Sequence, residues 1–102
     1  MTTLRDIASV VRSKNAGPFW MTIDVFFDDA EHFGRGIATD LSDPTAVAEI
    51  YGVEPECIRV FVLRELLAVK ISMPRPRTQG SFGDTDMHAG QQFVPLLAID
   101  VD

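Results

Sequence analysis

The stretch CIRVFVLRELLAVKISMP, residues 57–74, decides the fold. Its middle, LRELLAVK, is rich in helix formers. The flanks read differently. Ile58, Val60 and Val62 share one side of an extended chain, and after an interruption at Arg64–Leu66 the same period of two returns in Leu67, Val69, Ile71 and Met73. Two alternating runs around a short break predict a β-hairpin. Pro74 ends it, because proline has no N–H to give to a ladder.

Moving outward, WMTIDVFF at 20–27 alternates as well. Met21, Ile23, Val25 and Phe27 share a face, which predicts a strand with one buried side. DDAEHFGRG at 28–36 offers aspartate caps and a short helical turn, weakened by Gly34 and Gly36. A firmer helix is expected from Asp43, with Pro44 in its first turn, to near Gly52, with Val47, Ile50 and Tyr51 facing inward. Residues 4–11 fit two readings. Leu4, Ile7, Ala8 and Val11 make a helical stripe with Thr3 and Asp6 as a capping pair, or the same residues run as a short strand. FVPLLAIDV at 93–101 puts Leu97, Ile99 and Val101 on one side and reads as a last strand. Together these elements predict one α+β domain over residues 1–102, a small antiparallel sheet with helices on one face.

Composition restricts the function. The chain of 102 residues is 46% hydrophobic with a formal charge of −6, and all nine basic residues precede position 78. A length near 100 residues buries roughly two-thirds of the unfolded surface, so no metal or disulfide staple is required for a core. An acidic chain without a basic helix or stripe does not suit a phosphate backbone, so no nucleic-acid partner is expected. Apolar runs such as VFVL and LLAV are far too short to span a bilayer, so no membrane partner is expected. The charged N-terminal stretch MTTLRDIASVVRSKN lacks the apolar core of a secretory signal, so a cytoplasmic location is expected. Cys57, the one cysteine, has no partner for an internal disulfide. At the head of an apolar strand it reads as a small core residue rather than a nucleophile.

No P-loop, dinucleotide fingerprint, C-x-x-C, H-E-x-x-H or G-x-S-x-G occurs. Chemistry is left to two polar, glycine-containing loops, RSKNAGPF at 12–19 and PRPRTQGSFGDTDMHAGQQ at 74–92. Asp84, Asp86 and His88 alternate and would suit a divalent cation, but GDTD is also a common turn in which aspartates cap backbone N–H groups. No resident metal and no cofactor is expected. His32, beside acidic residues, reads as a surface helix residue. Arg75 and Arg77, held extended by Pro74 and Pro76, project the same way. With Arg12 and Lys14 they could clamp a carboxylate or phosphate, with Gly17, Gly80 and Gly83 freeing N–H groups for an anion nest. Equally, these cations could pair with the chain's own carboxylates. Gln91 and Gln92 could bind a ligand or satisfy strand ends. Phe19 and Trp20 could wall a pocket, although burial in the core is the commoner fate of such aromatics.

The segments LRDIASVVRSKNAGPFWMTIDVFFDD, IYGV and AVKISMPRPRTQGSFGDTDMHAGQQFVPLLAIDV resemble the family catalogued as domain of unknown function 4387 over nearly the whole chain. RSKNAGPF, the PRP segment, G-S-x-G-D-T-D and the glutamine pair carry the resemblance. Relatives more often have tyrosine at the position of His88 and histidine at that of Phe93, which weakens His88 as a ligand. They also keep a more regular helix where Gly34 and Gly36 fall here. That family is similar to the small ferredoxin-like domain at the C-terminus of AtuA-type proteins of acyclic terpene utilisation. The resemblance therefore implies an accessory subunit or domain of a catabolic enzyme acting on acyl groups or carboxylic acids, with a large AtuA-type partner. The residues expected to face an anionic ligand, carboxylate or acyl-CoA-like, or that partner are Arg12, Ser13, Lys14, Asn15, Gly17, Arg75, Arg77, Gly83, Asp84, Thr85, Asp86, Gln91 and Gln92. The alternative is a stand-alone small enzyme using Asp84, Asp86 and His88 as acid, base or metal ligands. Apolar strand faces also leave room for a homo-oligomer.

Overall fold

The computed structural model describes residues 2–17, 19–74 and 94–101. Four strands form one antiparallel sheet: β1 (Val10–Asn15), β2 (Trp20–Phe26), β3 (Arg59–Leu63) and β4 (Ala68–Pro74), in the order β1-β2-β4-β3. The 57–74 hairpin is present as predicted. Its break is a 3-10 turn at Arg64–Leu66, closed by Leu67 in the left-handed region at φ 51°.

Among the described residues, three α-helices complete the α+β fold: α1 (Leu4–Ile7), α2 (Ala30–Ile37) and α3 (Pro44–Tyr51). Residues 4–11 realise both readings in turn. The Thr3 N–H donates to Asp6 Oδ2 at 2.8 Å and starts a single helical turn, and β1 follows at Val10. In α3, Asp43 accepts from the Thr45 N–H at 3.0 Å, Pro44 opens the first turn, and Gly52 at φ 68° ends it. Ile50 is exposed rather than inward; Val47, Ala48 and Tyr51 make the buried face. The helix at 30–37 is fuller than the two glycines suggested. Asp29 caps it through the His32 N–H, and Gly36 is buried against the Phe27 ring, where a Cβ would collide.

The last segment corrects the expectation of a final strand. Val94–Ala98 is a 3-10 helix, and Asp100 then makes a single antiparallel bridge to Thr3. Pro95 suits the first turn of a helix and cannot donate to a ladder. The buried positions are Leu96 and Ile99, three apart, rather than every second residue.

The core lies on one face of the sheet. Met21, Ile23, Val25, Val69, Ile71 and Met73 project there and are fully buried, meeting Leu4, Ile7, Phe33, Leu41, Val47, Leu96 and Ile99 of the helical layer. Burying each large apolar side chain contributes roughly 1.5–3 kcal/mol. Phe27 and Phe33 pack edge to face, with centroids 6.0 Å apart. The ferredoxin-like refinement is not confirmed. Such domains alternate β-α-β-β-α-β, whereas the longer elements here run β1-β2-α2-α3-β3-β4.

Candidate functional site

The helices cover one face of the sheet, and the side chains of the other face come together only through strand register. Across the sheet run three rows of register partners: Lys14–Thr22–Ser72–Arg59, Arg12–Asp24–Lys70–Phe61 and Val10–Phe26–Ala68–Leu63. Side chains directly opposite on neighbouring strands stand roughly 5 Å apart at Cβ. This face therefore holds four basic groups, Arg12, Lys14, Arg59 and Lys70, against one strand carboxylate, Asp24. In a chain of formal charge −6 that is a local reversal of sign.

The alternation of each strand produces it. Arg59 and Lys70 sit between the core-side residues Ile58, Val60, Val69 and Ile71, so burying those residues turns both cations to the other side. Arg12 is not a free cation: its Nε lies 3.6 Å from Asp24 Oδ2, and its guanidinium stands 5.2 Å from the centroid of the Phe26 ring. It neutralises the carboxylate and leaves Lys14, Lys70 and Arg59 around the Thr22–Ser72 hydroxyl pair.

Thr22 is a buried polar residue on this face. Only 8% of it is exposed, and Oγ1 has no hydrogen-bond partner among the described residues. A shielded hydroxyl without a partner costs about 1–3 kcal/mol. An acceptor or donor brought to the row by a ligand would recover part of that cost.

The expectation that 12–19 forms a loop is corrected. Residues 10–15 are strand β1, and only the residues beyond Asn15 turn, closed by the Ala16 N–H donating to the Trp20 carbonyl at 2.9 Å. Alternation consequently separates the predicted residues. Arg12 and Lys14 belong to the basic face, whereas Ser13 projects to the core side, 8% exposed, with Asn15 on the same side. Gly17 lies in the turn at φ 95°, a conformation that favours glycine. Phe19 and Trp20, at 61% and 40% exposed, stand at the turn and on the basic face instead of entering the core. Arg75, Arg77, Gly83, Asp84, Thr85, Asp86, His88, Gln91 and Gln92 lie outside the described residues. The chain enters that segment beside the β1–β2 turn, since Pro74 is the register partner of Trp20.

Thr22, Arg59, Lys70 and Ser72 were missed by sequence reasoning. Their signal was a polar residue between buried ones in β2, β3 and β4, which reads as ordinary surface until the register aligns the strands. Elsewhere, His32 Nδ1 lies 3.2 Å from Asp29 Oδ2 as a local helix contact, and Cys57 is half-buried in a 3-10 turn at Pro55–Cys57. Among the described residues no three His, Cys, Asp or Glu gather for a metal ion, and no helix is long and apolar enough to cross a membrane.

The family described as Domain of unknown function (DUF4387) matches residues 4–100. No curated protein and no solved structure gives a significant match.

Proposed function

The chain belongs to the DUF4387 family, and from that membership we propose that it is a small accessory subunit or domain that presents its basic sheet face to an anionic group. That group is a carboxylate or acyl-CoA-like ligand, carried to the face by the active site of a large AtuA-type catabolic partner. The observation that supports this reading is the composition of one face: Lys14, Lys70 and Arg59 surround the Thr22–Ser72 pair on an otherwise acidic protein. Lysine and arginine supply charge and directed donors, and hydroxyls complete the coordination of carboxylate or phosphate oxygens. The partner in this proposal rests on the resemblance, read from the sequence, between this family and the small domain of AtuA-type proteins.

Thermal unfolding with coenzyme A, acetyl-coenzyme A and succinate tests the ligand. Stabilisation is expected with at least one of them, reduced several-fold by Lys14→Ala and by Arg59→Ala and unchanged by Arg35→Ala on the helical layer. Co-purification with the large partner tests the assembly. Stabilisation by none of the anions, or retention of full binding by both variants, would refute the ligand reading; separate elution of the two proteins would refute the accessory role.

A further inference from the structure

The two edges of the sheet are built differently. On the basic face, β1 presents Arg12 and Lys14, and charged side chains of this kind keep an edge strand from pairing with another chain. At the other edge, β3 has β4 on one side and no described strand on the other. From Val60 to Leu63 it carries no charge and no proline. Phe61, Val62 and Leu63 are 46%, 39% and 37% exposed, so both faces of the strand remain apolar and accessible. Beyond them Leu66 is 62% exposed, and a cleft of about 370 Å³ lined by Val62, Leu63, Arg64, Glu65 and Leu66 adjoins the edge.

We propose that β3 pairs antiparallel with β3 of a second copy of this chain, across a two-fold axis through Phe61, to give an eight-stranded sheet. This register uses all five residues of the strand. It sets Phe61 against Phe61 and Arg59 against Leu63 on the basic side, and Val60 against Val62 on the helical side. Just past each end of the ladder, Arg59 of one copy reaches Glu65 of the other, and the two-fold repeats this pairing of opposite charges. Arg64 does not oppose it, because its guanidinium is turned to the helical layer, 5.9 Å from the Phe33 ring centroid. A two-fold axis also makes the assembly finite, since pairing consumes the open edge of each copy and leaves the charged β1 edges outside. A pairing of two five-residue strands is a small contact beside the roughly 1,200–2,000 Å² of stable interfaces, so a weak, concentration-dependent dimer is expected.

Sedimentation velocity over a concentration series reads the assembly directly, without any ligand. The wild-type chain should shift from monomer to dimer mass. Phe61→Lys, which sets two ammonium groups against each other at the axis, should weaken association by at least tenfold, while Val10→Lys at the opposite edge should leave it unchanged. Arg59→Glu should weaken it, and Arg59→Glu with Glu65→Arg should restore it. Circular dichroism of each variant confirms that the monomer is folded. A wild-type chain monomeric at every concentration overturns the proposal, as does a dimer indifferent to Phe61→Lys or a charge swap that restores nothing. A complex with a different protein that depends on Phe61, in place of self-association, overturns it too. These outcomes are independent of anion binding, which is read as thermal stabilisation and not as mass.

Discussion

Gly36 of α2 packs its Cα directly against the ring of Phe27, so that a Cβ at this position would overlap the ring edge. Two residues earlier in the same helix, Gly34 has nothing within 4 Å of an added Cβ. Alanine favours a helix over glycine by about 1 kcal/mol at either position, so contact alone separates the two outcomes. Gly34→Ala should stabilise the protein by about 0.5–1 kcal/mol. Gly36→Ala should destabilise it by about 1–3 kcal/mol, the usual cost of overpacking. Urea titration of both variants gives the comparison, and opposite signs are required.

Thr22→Val should separate stability from binding. Valine keeps the β-branched shape that a strand prefers and removes a shielded hydroxyl that lacks a partner among the described residues. The midpoint of denaturation should rise, by about 1 kcal/mol in free energy. The stabilisation that coenzyme A or succinate confers should fall at the same time. Unchanged ligand stabilisation in Thr22→Val would place the hydroxyl outside the binding row.

Tyr51 is buried in α3, and burial pushes its phenol above the ordinary value for tyrosine. Below about pH 10 the phenol keeps its proton in folded and unfolded chains alike, and its ionisation has no effect on stability. At higher pH the unfolded chain releases the proton while the folded chain retains it, so stability falls as the pH rises. Denaturant titrations between pH 8 and about 11 should show this loss, and Tyr51→Phe should make the curve flatter at its alkaline end.

Asp43 holds the start of α3 through the Thr45 N–H. Asp43→Ala should cost about 1 kcal/mol, and Asp43→Ser should recover most of it, because a serine hydroxyl accepts the same bond. Thermal melts of the two variants decide this.

The elements legible in the sequence were those whose two sides differ strongly. Met21, Ile23 and Val25 alternate with polar or half-buried residues, as do Val69, Ile71 and Met73, and a single buried face explains both runs. RSKN was misread because four consecutive polar residues resemble a loop. In an edge strand, however, two of them can face outward while Ser13 is buried on the other side. FVPLLAIDV fitted period two through Leu97, Ile99 and Val101, yet burial selected Leu96 and Ile99. Short apolar runs satisfy both periods, and tertiary contacts decide between them. The basic face was illegible for a different reason. Lys14, Thr22, Ser72 and Arg59 come from four strands, and only the register makes them neighbours.

The pairing of Trp20 with Pro74 has an optical consequence. Trp20 is the only tryptophan of the chain; it stands 40% exposed on the basic face, opposite Pro74 at the end of β4. Its indole emission therefore reports on this end of the sheet without any label. A ligand seated along the Lys14–Arg59 row should change the wavelength or quenching of that emission, whereas pairing of β3 with a second copy, at the far edge of the sheet, should leave it as it is.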